Sequence, residues 1–569
     1  MKRLSTFFLL VSIFLSACSN NTTSNADIDH VFKNAKIWTG DTEQPWADWV
    51  AVKGEEIVAL GSENSKPPKA QQETDLQGQL LVPGFNDSHV HFSSAGALLL
   101  GINLLDVNEE AKFVERIKET TARLPKGSWI TRGDWGAYEA WGVGSSGDDD
   151  KSNTVFTPHR SMIDDITPNH PVLVVRYDRT EGLANGLALK ELGLESESGL
   201  LEGEVLREAL RQVPDKSFER RLAESRRALE ECRKWGVTTV QDMSPLDQVD
   251  VYNHLYEKDE LSCRINFAPS RLSEYQNMID KDWTVDWEGE LAPHPSGDNW
   301  ISFGTIKSHI DGIMGARSAR FFQPYNDNIA DQMDWRGGWR EFSKDMPSFK
   351  EMLLAADAGN IQLRVHAIGD QANSILLDIL DTLDHFNGAK DRRFRLVHAQ
   401  VISPGDFQRF QGRNIVAEVQ PYHVTDDMRW MEERIGYERC KGAYAFKTLE
   451  DNGCILSFGS DWPGTNASYY PINPLMGLYA AVTRQTVKGE PAEGWFPEQR
   501  ISLKKALRAY TWGAAYGAFE EDIKGTIEKG KLADFTVIDT DLFSTPPAQW
   551  LEAEIAMTIV GGKVVFEKN

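Results

Sequence analysis

Six residues of this chain could together hold a metal ion, and each sits in or just after an apolar run. "LVPGFNDSHVHF" (81–92) ends in His89 and His91. In a strand, residues i and i+2 project to the same side. The two imidazoles therefore point together, with Val90 turned away, and make a chelating pair. "FGTIKSHIDG" carries Lys307 inside an apolar segment, "IQLRVHAIGD" carries His366, "FRLVHAQ" carries His398, and Asp461 follows the run in "ILSFGSDWP". A lone buried histidine is commonly satisfied by hydrogen bonds and binds nothing. Five segments in order, each with a donor at its end, are harder to explain by core packing.

Something must bring these distant donors together. "AKFVERIKETTARL" and "ERRLAESRRALEECRKWG" have helical periodicity. Short apolar runs such as "VTTVQD" and "NIVAEVQP" read as buried strands. Their alternation predicts an α/β fold, a (β/α)8 TIM-like barrel, in which catalytic residues sit at the C-terminal ends of strands. Both chain ends read as short strands with glycine turns. Residues 29–82 and 525–569 are expected to form one small β-sandwich domain, with the barrel at 83–524 and an inserted region at about 130–290.

The bulk numbers restrict the function. Of 569 residues, 41% are hydrophobic and 26% charged, as in a globular protein. A formal net charge of -24 argues against a nucleic-acid partner. The start, "MKRLSTFFLLVSIFLSAC", has basic residues, an apolar stretch and small residues before a cysteine. It reads as a signal peptide over 1–17, and "LSAC" resembles the lipobox of bacterial lipoproteins. Cys18 is then the lipidated first residue of the mature chain, and 18–28 a polar tether. Ser19 after it favours the outer membrane, with the protein facing the periplasm and touching the membrane through its lipid alone. Cys232, Cys263, Cys440 and Cys454 are scattered, and no essential disulfide is expected.

The ordered motifs also carry a resemblance. "PGFNDSHVHF", "IKSHIDGIMGARSA", "VHAIGDQAN", "LVHAQ", "FGSDWP", "AVTR" and "KGTIEKGKLADFTVID" resemble segments of the amidohydrolase superfamily. The branch is amidohydrolase family 3, or YtcJ-like, and the likeness runs from about 29 to 569. It implies that His89 and His91 bind a first divalent metal, zinc by donor type. Lys307, carbamylated by CO₂, would bridge two metals; burial favours the neutral amine this requires. His366 and His398 would hold the second metal. Asp461 would bind the first and act as general base.

The implied activity is hydrolysis, by metal-activated water, of a non-peptide C–N bond in a linear or N-substituted amide. Cyclic amides, esters and lactones are the alternatives, as is a small-molecule-binding lipoprotein without turnover. A homodimer is implied by the family. Further residues have expected roles. Asp311 and Gly312 shape the loop after Lys307, and Gly369 and Asp370 orient His366. Arg317 would bind an anionic group, Trp135 would wall the pocket, and Tyr422 and His423 would touch substrate. One stretch departs from the family. "RYDRTEGLANG" keeps Asn185, expected at the substrate, but has Thr180 where members often carry histidine. The substrate is then expected to differ from that of the usual members.

Overall fold

The computed structural model describes residues 28–104, 107, 109–136, 157–176, 180–269, 298–328, 333–340, 343–464 and 472–568. Cys18, the signal segment and nearly all of the tether lie outside the described residues. Strands from both ends of the chain share a single eight-stranded mixed sheet. Leu80–Pro83 joins the two ends by running antiparallel to Phe535–Ile538, with Val82 opposite Thr536. Phe32, Ile37, Val50, Leu81, Phe535 and Val537 pack together against this sheet.

The middle of the chain builds two parallel sheets. One holds Phe85–Val90, Val237–Asp242, Arg264–Phe267 and Ile301–Ser302. The other runs through Thr305–His309, Gln362–Ala367, Arg395–His398, Val416–Val419 and Ile455–Phe458 in that order. Most of these strands are buried at every position, as parallel strands between other layers must be. Helices alternate with them, among them Phe218–Lys234, Met346–Ala358 and Asp370–Asn387. The helix Asp370–Asn387 buries Leu376, Leu377, Leu380 and Leu383. At full burial each such side chain contributes about 1.5–3 kcal/mol. The two sheets approach at both seams. Val90 bridges Trp462 in parallel, and the Lys307 N–H donates to the Pro269 carbonyl at 3.1 Å. The architecture is α/β and TIM-barrel-like.

The inserted layer is placed differently from the sequence reading. A separate five-stranded sheet runs from Ile102–Asn103 to Leu200–Glu202 and packs its own core around Phe113, Ile117, Trp135 and Val172. Within the range 130–290, Val237–Asp242 pairs with Phe85–Val90 in the parallel sheet, and Arg264–Phe267 pairs with Val237–Asp242. A short apolar run flanked by helices reads alike in either layer, and only its pairing partner decides.

Candidate active site

In-register parallel pairing lines the donors up. His309 stands opposite His366 on the neighbouring strand, and Ala367 opposite His398. The ring centroids of His366 and His398 are 4.6 Å apart, and those of His89 and His398 5.3 Å. Asp461 Oδ1 lies 3.3 Å from Nε2 of both His89 and His91. Lys307 Nζ is 3.4 Å from His89 Nε2. His89, His91, Lys307, His366, His398 and Asp461 all face one cavity of about 280 Å³. These residues span positions 89 to 461, so the fold brings together what the sequence keeps apart.

Two of them occupy the left-handed backbone region, His398 at φ 70° and Asp461 at φ 58°. Such conformations cost of order 1–3 kcal/mol each and persist where the surroundings fix them. The Asp461 N–H is held by the His89 carbonyl at 2.8 Å.

Each imidazole is oriented from behind. His89 Nδ1 meets the Glu418 carboxylate, which leaves Nε2 for the cavity. His398 Nδ1 bonds Gln420 Oε1 at 2.6 Å, again freeing Nε2. His366 Nε2 donates to the Gly312 carbonyl at 2.9 Å, which frees Nδ1. Such outer partners fix the tautomer and direction of a metal-binding histidine. Glu418 is fully buried between two buried arginines: Arg364 reaches it at 2.6 Å and Arg395 at 2.7 Å. Their charges hold its carboxyl well below the usual range despite burial.

The donor set fits a divalent cation. Burial keeps His366 and His398 well below the ordinary imidazole pKa, hence neutral. Asp461 is held well below the usual carboxylate range, against its burial, by the imidazoles around it. Burial brings Lys307 down to about 7, against the pull of Glu418 and Asp461 and with the push of Arg364 and Arg395. Two groups, His89–His91–Asp461 and His398–His423–Asp461, each place three donor atoms within 4.8 Å of one another. Neutral imidazoles with one ionised carboxylate are the N/O set that zinc and similar ions take.

The other expected residues divide. His423 lines the cavity, with its ring 6.4 Å from that of His398. Asp311 accepts from the N–H groups of Ile368, Gly369 and Arg320 and so ties the loop after Lys307 to the His366 strand. Gly369 has no room for a side chain, since a Cβ would sit 1.9 Å from the Arg320 carbonyl oxygen. Asp370 accepts from the Phe322 N–H at 2.9 Å.

Trp135 is not on the cavity: it is 1% exposed, in the core of the inserted sheet. Arg317 is turned to Asp327 at 2.7 Å and is absent from the cavity wall. Tyr422 is half-buried beside His423 but does not line the cavity. Asn185 caps the helix Gly186–Leu192. Its Oδ1 accepts from Val172 and Ala188, and its Nδ2 donates to Thr167 and His170. Thr180 is exposed.

Sequence reasoning missed Glu418, Gln420, His309 and Arg340. The signal for Glu418 was present: an acid in the aliphatic run "IVAEV" and an arginine in each of "QLRV" and "FRLV". Charges inside otherwise apolar strands must find each other.

Residues 72–566 match the amidohydrolase family model. The chain belongs to the amidohydrolase family. It is 32% identical to the Arabidopsis thaliana protein LONG AFTER FAR-RED 3, over 95% of this chain and 91% of that protein. It is 24% identical to the N-substituted formamide deformylase of Arthrobacter pascens, over 95% of this chain and 99% of that enzyme. A crystal structure of an uncharacterized metal-dependent hydrolase from Pyrococcus horikoshii superposes with a TM-score of 0.73 at 22% identity, covering 91% of this chain and 99% of the other. This last likeness is one of fold.

Proposed function

We propose that this amidohydrolase is a metal-dependent hydrolase that cleaves the non-peptide C–N bond of linear or N-substituted amides. The observation that carries the reading is the convergence of His89, His91, Lys307, His366, His398 and Asp461 on one cavity, with three imidazoles aimed from behind. The Arthrobacter pascens relative, an N-substituted formamide deformylase, supports the substrate class. Two divalent metals, zinc by donor type, would supply an acidified water and polarise the scissile carbonyl.

The chain's own part is as follows. Lys307, as its carbamate, would be an anionic ligand to the metals that His89, His91, His366 and His398 would hold. Asp461 accepts a proton from the attacking water and passes it to the leaving nitrogen. The water oxygen bonds the carbonyl carbon as the C–N bond breaks, giving a carboxylic acid and an amine. His423 orients the substrate from the wall beside His398. Counting Ile301–Ser302 and Thr305–His309 as one interrupted strand, the two parallel sheets close into an eight-stranded barrel, a reading supported by the contacts at both seams. Cys18 anchors the protein by lipid to the outer membrane, on the periplasmic side.

Elemental analysis should find about two transition metals per chain. Lys307→Ala should lose metal and turnover of N-substituted formamides, and short carboxylic acids should partly restore both by filling the bridging position. Full metal occupancy with normal turnover in Lys307→Ala would overturn the bridge. Cys18→Ser should move the protein from the membrane to the soluble fraction; persistence with salt-washed membranes would refute the anchor.

A further inference from the structure

The hydrolase reading leaves a charged cavity residue, Arg340, without a task. Arg340 is the only arginine among the described residues that line the cavity. Its backbone is pinned to the strand that carries Lys307. The Arg340 N–H donates to the Ile310 carbonyl at 3.1 Å, Asp311 bridges Trp339, and the Ser343 hydroxyl donates to the same Ile310 carbonyl at 2.6 Å. The neighbouring arginines are all engaged. Arg317 and Arg434 share Asp327 at 2.7 and 2.8 Å, Arg429 holds Asp426, and Arg320 donates to Gln371 at 2.7 Å. Arg340, by contrast, is exposed at the cavity, and its side chain makes no ion pair, hydrogen bond or ring contact with any described residue.

The carboxylates in the same cavity do not answer it. Asp426 is neutralised by Arg429. Asp427 accepts from Gln400 at 2.8 Å and from the Tyr444 hydroxyl at 2.5 Å. Asp461 faces His89 and His91 at 3.3 Å, and Asp311, outside the cavity lining, is buried and spends its oxygens on three backbone N–H groups. Opposite these polar groups, Ile313, Met314, Ile368 and Trp430 give the cavity an apolar wall.

Resting on the hydrolase reading, we infer that Arg340 receives a carboxylate of the substrate, so that the enzyme selects N-formyl or other N-acyl amino acids with an apolar side chain. A guanidinium offers a fork of N–H donors that matches a carboxylate, and the Arg340 backbone is held beside the end of Thr305–His309. The reaction leaves this group untouched. Water oxygen joins the acyl carbon, the acyl C–N bond breaks, and the proton goes to the nitrogen of the released amino acid. Arg340 is thus a specificity residue, and its loss should show in binding and KM rather than kcat.

The probes are N-formylphenylalanine and N-formylphenethylamine, which differ by one carboxylate. Their affinities for the full, metal-loaded chain are measured by calorimetry, with Arg340→Ala and Arg340→Lys beside the wild type. The wild type should bind the acid about tenfold or more tightly than the neutral amide. Arg340→Ala should erase that preference, and Arg340→Lys should keep part of it, because a point charge replaces a fork. A wild type with no preference for the acid, or an Arg340→Ala that retains it, overturns the assignment. Turnover of N-formylphenethylamine reports separately on the hydrolase reading. An enzyme that cleaves the neutral amide but ignores the carboxylate loses only Arg340, whereas one that prefers the acid and cleaves neither probe loses the hydrolase reading instead.

Discussion

Two buried polar clusters lie on the same parallel strands, and they are built differently. The lower one is Glu418 between Arg364 and Arg395, with contacts of 2.6 to 3.1 Å. The upper one is the set of imidazoles with Lys307 and Asp461, whose donor atoms approach at 3.3 to 3.4 Å. Hydrogen bonds of N–H to oxygen fall at 2.7–3.2 Å, so the lower cluster is made of partners and the upper one is not. Imidazoles and one carboxylate that face a common centre at distances longer than close hydrogen bonds suit a shared cation. The lower cluster fixes the upper one, because Glu418 touches both the arginines and His89. The closely paired cluster is built as scaffold, even with Arg364 Nη1 and Arg395 Nε left without a hydrogen bond, and the loosely spaced cluster is the candidate site.

The largest effect should come from the upper cluster. Asp461→Asn removes the one carboxylate that faces both His89 and His91 and the proposed proton acceptor. Turnover should fall by about 10²–10⁴-fold, the range for loss of a general acid–base group. Steady-state rates on an N-substituted formamide, with elemental analysis of the same sample, measure it. A loss below about tenfold would put the proton acceptor elsewhere.

The lower cluster should break differently. Glu418→Gln leaves two buried arginines without a counter-charge, and losing one partner of a buried ion pair costs about 3–5 kcal/mol. Urea unfolding should show that loss even in metal-free protein, which would mark Glu418 as scaffold. A variant whose stability falls only when metal is present would instead place Glu418 with the site.

How much of this could be read from the sequence follows the same division. The upper cluster was legible, because each donor ends an apolar run and the HxH pair keeps strand spacing. The TIM-barrel-like α/β order was legible from alternating periodicities. The lower cluster was not, although its charges interrupt visibly apolar strands. Glu418 stands 329 residues from His89, and nothing local says that they meet. The extent of the inserted layer failed for the same reason, since strand pairing is a long-range property. Trp135 and Arg317 were chosen by residue type, and packing gave them other partners: the core of the inserted sheet for one, Asp327 for the other.

A third substitution joins the two regions. Gln420 accepts from His398 and lies two residues beyond Glu418 on the same chain segment. Gln420→Leu should weaken metal binding by about 10–100-fold, as loss of an outer partner of a metal histidine does. Stability of the metal-free protein should change far less than in Glu418→Gln. Competition with a chromogenic chelator reads the affinity. An unchanged affinity would mean that strand geometry alone aims His398.

The smallest effect tests a residue that belongs to neither cluster. The family motif suggested that Asn185 meets substrate, whereas its side-chain hydrogen bonds go to Thr167, His170 and Val172 and to the first turn of Gly186–Leu192. Oδ1 satisfies two backbone N–H groups, one of them the helix's own Ala188, as a capping residue does. Asn185→Ala should therefore cost about 1–2 kcal/mol of stability through the lost cap and the unpaired groups it leaves. Turnover per folded molecule should stay as it is, because nothing in the cavity wall touches this side chain. Asn185→Asp keeps the acceptor and should recover part of the stability. A variant of normal stability with a raised KM would reverse the assignment and return Asn185 to the substrate. The two readings predict opposite pairs of results, so one unfolding curve and one KM decide between helix cap and substrate contact.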